Sequence, residues 1–326
     1  MSKARIITAT NVNHALNDAL WHLKTKGVIS DSRNGRVVRA PGPVITEYLH
    51  PRERLVSPAW RDANHVFHLA ETIWMLSGAN RVEWLLQFNS SFSQFAESDG
   101  TQHGAYGHRW FRHFDMNQIH LALEELRKPN NRRVVVQMWD ARTDFAANYK
   151  DVPCNTHIYF EVQDGELNMT VCCRSNDIMW GAYGANAVHF SMLQELMATT
   201  LGVRVGTYYQ LSNNFHMYLD FGPGKLVDLH ALPTHAEDDY ELYTNAKPVP
   251  LLQGKETIGD FIADCHDVVR GHDSVVKTAF MRRTAVPILK TYILRKKAQP
   301  FSFEHIEESD WKHSFQGWVN RRTERD

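Results

Sequence analysis

Cysteine is scarce in this sequence, and what there is falls in no cross-linking or metal-binding pattern. Four cysteines stand at 154, 172, 173 and 265 of 326 residues, with no CxxC pair. A structural zinc site needs thiols or histidines that converge more closely, and free thiols suit a reducing compartment. The eighteen histidines are scattered and form no HExxH helix, so no resident metal is expected. An excess of charge is missing too: 36 basic side chains face 37 acidic ones. No long-range field draws the chain to nucleic acid or to an anionic membrane, although a local basic pocket for one small anion remains compatible. There is no run of eighteen apolar residues to span a bilayer, and the opening MSKARIITATNV lacks a signal-peptide core. These absences point to a cytoplasmic protein. With no internal repeat and no low-complexity linker, residues 1–326 read as one domain whose part from about 230 to 326 is more irregular.

What is present is an alternation of helical and strand patterns, which sets the class as α/β (α+β). Residues 8–24 and 65–78 carry apolar side chains at helical spacing, as do 116–128 and 259–271. HGAYGHRWF (103–111) reads as a glycine-rich turn, and RRVVVQMWD (132–140) as a strand. HIYFEVQDGELNMTVCC places two alternating runs around Asp-Gly, a hairpin signal. ANAVHFSMLQELMATTLG is a long buried helix stopped by glycine, followed by a strand pair over 203–220. VPILKTYILRKK (286–297) reads as helix or strand.

The chemistry gathers around DVPCN (151–155) and CCRSND (172–177). Cys154, at a junction between loop and strand, is either a small hydrophobe filling the core or a thiol held rigidly for reaction. Arg174, in a strand otherwise built of Met, Thr, Val and Cys, needs an anionic partner if its guanidinium is buried. That partner is either Asp177 or a ligand phosphate or carboxylate clamped close to the thiol, a site in which the arginine would lower the thiol's pKa. Arg132 and Arg133 lead into an apolar strand and are either ordinary solvated charges or further ligands for a small dianion. Asn186 joins a donor and an acceptor, fit for a helix cap or for a pyrimidine edge. His216 and Tyr218 alternate in a strand and face one side, where they pack or grip a sugar hydroxyl. A thiolate adds readily to C6 of a uracil or cytosine ring, which makes C5 nucleophilic toward a one-carbon electrophile. Glu71, a lone carboxylate within an apolar helix, is the proton-handling candidate.

In order, AETIWMLSG, GAYGHRWF, NNRRVVVQMWD, VPCN, CCRSNDIMWGAYGAN and NNFHMY resemble the thymidylate synthase superfamily, which includes the pyrimidine nucleotide hydroxymethylases. The resemblance covers about residues 65–220. It implies a large mixed sheet packed against helices, with one sheet face forming a homodimer interface. It also implies Cys154 as nucleophile, Glu71 as proton carrier and Tyr106 as support for the base and its water. Arg174 and Ser175 would hold the phosphate, with Arg132 and Arg133 reaching in from the partner subunit and Arg33 or Arg36 completing the site. Asn186 would meet the base, and His216 with Tyr218 the sugar. Asp177 would meet the folate of 5,10-methylenetetrahydrofolate, the co-substrate. Phe92 and Phe95 stand where the family carries tryptophans near the folate and C5, and Asn155 replaces the usual histidine after the cysteine. The implied substrate is a pyrimidine nucleoside monophosphate. The expected product is 5-hydroxymethyl-dUMP, with thymidylate and the dCMP reaction as alternatives. A hydroxymethylase would point to a virus that modifies its own DNA.

Overall fold

The computed structural model describes residues 3–145, 148–220, 222–226 and 241–323. Its larger sheet runs, in spatial order, β1 (Arg5–Ala9), β4 (Val44–Tyr48), β9 (Arg204–Ser212), β7 (Glu166–Cys173), β6 (Asn155–Gln163) and β5 (Val135–Gln137). The β1–β4 and β7–β9 pairs are parallel and the others antiparallel. A smaller sheet orders β2 (Val28–Ser32), β3 (Gly35–Arg39), β10 (Phe215–Tyr218) and β8 (Asn176–Asp177).

The helices are α1 (Val12–Lys26), α2 (His65–Leu76), α3 (Tyr106–His108), α4 (Gln118–Leu126), α5 (Ala141–Asp144), α6 (Asn186–Leu201), α7 (Glu241–Asn245), α8 (Ile258–Val269), α9 (Val286–Lys296) and α10 (Asp310–Thr323). Wider helical turns extend α3 through His113 and lead into α6 from Ile178. The chain is therefore α/β, a mixed sheet packed against helices. One contiguous cluster of buried side chains runs from Ile7 to Val319.

The β6–β7 hairpin follows directly from the sequence. Gln163 pairs with Glu166 across Asp164–Gly165, whose φ values of 53° and 76° give the turn that matches strand twist. Along β7, Leu167, Met169, Val171 and Cys173 are buried while their neighbours are half-exposed. The buried face of the larger sheet packs on α6, whose residues Asn186–Ala198 are all buried, its polar members Asn186, His189, Ser191, Gln194 and Glu195 among them. On the opposite face Ile45, Cys172, Tyr209 and Leu211 remain half-exposed and Ile6, Val135 and Tyr159 exposed.

Several sequence expectations are corrected. Of the segment 103–111 only His103 and Gly104 form a turn; Tyr106–His113 is helical, and Gly107 lets it press on the Met75 carbonyl, where a Cβ would overlap. The first helix starts at Val12, not residue 8, since Arg5–Ala9 pairs with β4 and Asn11 caps the helix through Asn13 and His14 amides. The two strands within 203–220 do not pair with each other: β9 joins the larger sheet and β10 the smaller. The helix expected over 259–271 is α8, the helix-or-strand segment from 286 is helical to 296, and α10 follows it; positions 227–240 and 324–326 lie outside the described residues.

Candidate active site

Strand ends create the site. The first residue of β6 pairs with the last of β7, Asn155 opposite Cys173, and the Arg174 amide donates to the Cys154 carbonyl at 2.8 Å. Beside them β8 and β10 run in register, Asp177 opposite His216. The N-terminus of α6 and one face of α2 close the back. Between these elements lies a cleft of about 270 Å³ lined by Cys154, Glu71, Tyr106, Asn186, Asp177 and His216, with Tyr218, Ser175, Phe92 and Phe95 also on its wall. Through Ser175, His216 and Tyr218 it adjoins a second recess, on whose wall stand Arg33 and Arg39.

The nucleophile candidate is held by a phenol. Tyr106 Oη accepts the Cys154 amide at 3.2 Å and the Asn155 amide at 3.1 Å. With both acceptor sites engaged, its own O–H is left to donate elsewhere, and the ring lines the cleft. Burial pushes the Cys154 thiol above the ordinary range; Arg174 and Arg33 pull it back, while Asp151 adds to the rise. In the free protein desolvation outweighs the two arginines.

Arg174 is not buried. It is exposed and is not among the residues lining either recess; its guanidinium donates from Nε to the Pro153 carbonyl at 2.8 Å and from Nη2 to the Val152 carbonyl at 2.9 Å, and lies over the Trp139 ring. Among the described residues no carboxylate pairs with it, so Asp177 is not its partner. Asp177 instead caps the helical turn after it, accepting the Met179 and Trp180 amides, and burial raises its carboxyl to about 6 against the pull of those amides and Arg61.

Asn186 belongs to a chain of amides. Its Oδ1 accepts from Asn155 Nδ2 at 3.1 Å, and its Nδ2 donates to Asn176 Oδ1 at 3.2 Å. Asn176 Nδ2 in turn donates to Gln210 Oε1 and Ser212 Oγ, which project from the buried face of β9. That strand turns polar on its inner side just where it reaches the cleft, and the chain fixes which way each amide points. His216 Nδ1 lies 3.1 Å from Asn214 Oδ1, burial lowers its pKa, and the neutral ring keeps Nε2 as an acceptor. Glu71, half-buried on α2, has Oε2 at 3.3 Å from Nε2 of the buried His189.

Other expected residues stand apart. Arg132 and Arg133 are exposed ahead of β5 and do not line this chain's cleft. Arg36 is tied to Asp220 at 2.7 Å, which leaves Arg33 as the N-terminal arginine facing the site. Sequence reasoning passed over Asp151, Gln102, Trp180, His189 and Arg39. Three of these had a local signal: Asp151 precedes the cysteine by three residues, His189 follows Asn186 by one helical turn, and Arg39 ends a strand directly after Val37 and Val38. Among the described residues no group of three or more His, Cys, Asp or Glu side chains is placed to hold a metal.

Residues 57–314 match the family model described as thymidylate synthase. A deoxyuridylate hydroxymethyltransferase of Pseudomonas phage M6 is 39% identical over 98% of this chain and 94% of its own length. One of Bacillus phage SP01 is 35% identical over 60% of this chain and 54% of its own. Among solved structures, thymidylate synthase from T4 phage superposes with a TM-score of 0.51 at 21% identity, covering 67% of this chain and 81% of that one. That last likeness speaks to the fold.

Proposed function

The chain belongs to the thymidylate synthase family, and from that premise we propose that it hydroxymethylates C5 of dUMP. One observation carries the choice of product: the near end-to-end match to a phage deoxyuridylate hydroxymethyltransferase, across 98% of this chain.

The residues of the cleft suit the reaction. Cys154, fixed by Tyr106 through two amides, adds to C6 of the pyrimidine. Arg33 and Ser175 line the recess suited to the phosphate, with the exposed Arg174 next to Ser175 in the chain to reach it, and neutral His216 accepts from the sugar hydroxyl beside Tyr218. Asn186, oriented by Asn155 and Asn176, offers donor and acceptor to O4 and N3–H of uracil. Glu71 moves protons at the ring. As co-substrate, 5,10-methylenetetrahydrofolate supplies the one-carbon unit, and Asp177, Phe92 and the exposed Trp180 at the cleft fit its ring systems. After its departure the ring, still bonded to Cys154, carries an exocyclic methylene at C5, and addition of water gives the hydroxymethyl group. Phe92 stands edge-on to both Trp74 and Phe95, so the wall near the reacting carbon is aromatic.

The working unit in this reading is a homodimer. Arg132 and Arg133 are exposed and outside their own cleft, and the larger sheet leaves one face half-open with apolar side chains on it. Packing two such faces together would carry these arginines to the partner's phosphate site. The phage origin of both hydroxymethyltransferase relatives supports a virus-encoded enzyme working in a host cytoplasm on precursors of modified DNA.

The test is mass spectrometry of the product from dUMP and methylenetetrahydrofolate, alongside an optical assay for dihydrofolate. Hydroxymethyl-dUMP without dihydrofolate is expected, as is a larger kcat/KM for dUMP than for dCMP. Thymidylate with stoichiometric dihydrofolate overturns the product, and preference for dCMP overturns the base.

A further inference from the structure

Hydroxymethylation requires a water to be held and deprotonated beside the exocyclic carbon, and Cys154, Glu71 and Tyr106 already have other tasks. On the same wall stands a second carboxylate. Asp151 lines the cleft with Glu71, Tyr106 and Cys154, and its Oδ2 accepts from Gln102 Nε2 at 2.8 Å. Room for this carboxylate exists because residue 104 is glycine; a Cβ there would overlap Asp151 Oδ2. The other end of the Gln102 amide, Oε1, is buried with no hydrogen-bond partner among the described residues. A buried acceptor of this kind calls for a donor, and water is the donor small enough to serve it beside a carboxylate.

We propose that Asp151 is the general base that activates the attacking water, with Gln102 Oε1 as the water's second anchor. This rests on the hydroxymethylase reading given above. A water donating one hydrogen to Gln102 Oε1 and the other to Asp151 turns a lone pair toward the methylene. Its oxygen bonds to the exocyclic carbon, and the electron pair of the C5–methylene bond moves toward O4. One water proton passes to Asp151. The pair then returns to form C5=C6, the C6–sulfur bond breaks, and Cys154 leaves as thiolate. Atoms and charge balance, and nothing is oxidised or reduced. Burial raises the Asp151 carboxyl and neighbouring Glu71 adds to the rise, which suits a base that must accept a proton near neutrality.

The experiment is a single turnover with [5-³H]dUMP and methylenetetrahydrofolate, comparing the wild-type protein with Asp151→Asn. The variant is expected to release one equivalent of tritium per site at near wild-type rate. Hydroxymethyl-dUMP formation should then slow about 100-fold or more. A protein adduct carrying the nucleotide plus one methylene carbon should accumulate by intact-mass analysis. Equal slowing of tritium release and product overturns the proposal, as does undiminished product. Gly104→Ala, which displaces the carboxylate while keeping it, should show the same split and serves if Asp151→Asn does not fold; a Gly104→Ala protein that folds without the split also overturns it. Thymidylate as the wild-type product overturns the hydroxymethylase reading itself, and that result is visible before any variant is made.

Discussion

At Cys154 two effects oppose each other, and their balance is measurable. Desolvation raises the thiol while Arg174 and Arg33 lower it, and desolvation prevails. Because the thiolate is the reactive form, alkylation of Cys154 by iodoacetamide in the free protein should climb about tenfold per pH unit from pH 7 to 9. Removing a positive neighbour moves the thiol further up, so Arg174→Gln should slow alkylation throughout that range. Peptide mapping separates the signal from half-exposed Cys172. A plateau below pH 8 would show that the arginines outweigh burial. The same residue shows how far sequence reading reaches. DVPCN and RSND name the thiol and the arginine, but side-chain burial depends on where the strands end. Arg174 falls just past β7, outside the sheet, and so escapes the burial its neighbours suggest.

At the scale of elements, legibility followed locality. The β6–β7 hairpin was readable because strand alternation and an Asp-Gly turn sit within nineteen residues of one another, Asn155–Cys173. β1 and β4 were not, since each is five residues long and their pairing joins Arg5 to Val44. The helix at Tyr106–His113 was misread because its glycine signals a turn locally and a close contact globally. Gly107 sits against the Met75 carbonyl of α2, the helix that carries Glu71, while the next residue back, Tyr106, holds the Cys154 loop. Adding a methyl group there must separate α2 from α3. Gly107→Ala should therefore cost on the order of 1–3 kcal/mol in a urea unfolding curve. It should also lower kcat, because the phenol that fixes Cys154 moves with α3. Wild-type stability and activity in this variant would mean that the two helices can part without disturbing the site.

The whole molecule raises a question its own cleft leaves open, which is how a doubly charged phosphate is neutralised. Within one chain, Arg33 and Arg39 line that end, and the exposed Arg174 nearby already donates to two carbonyls. Arg132 and Arg133 are solvated on the far side of β5, next to the open face of the larger sheet where Val135 and Tyr159 are exposed. Burying that face against a second copy would remove the apolar exposure and supply the missing cations in one step, each charged hydrogen bond contributing about 2 kcal/mol. The arrangement has a consequence that no single-chain site shares. Cys154→Ser and Arg133→Ala should each be nearly inactive alone. Mixed in equal amounts and allowed to exchange subunits, half the dimers become hybrids, in which one of the two sites takes its cysteine and its arginine from the unaltered copies. Recovered activity should then approach about a quarter of the wild-type value, as a two-fold symmetric pair requires. If native mass spectrometry shows exchange to be complete and activity stays at the level of the separate variants, each site is built from one chain and the phosphate is held by that chain's own arginines.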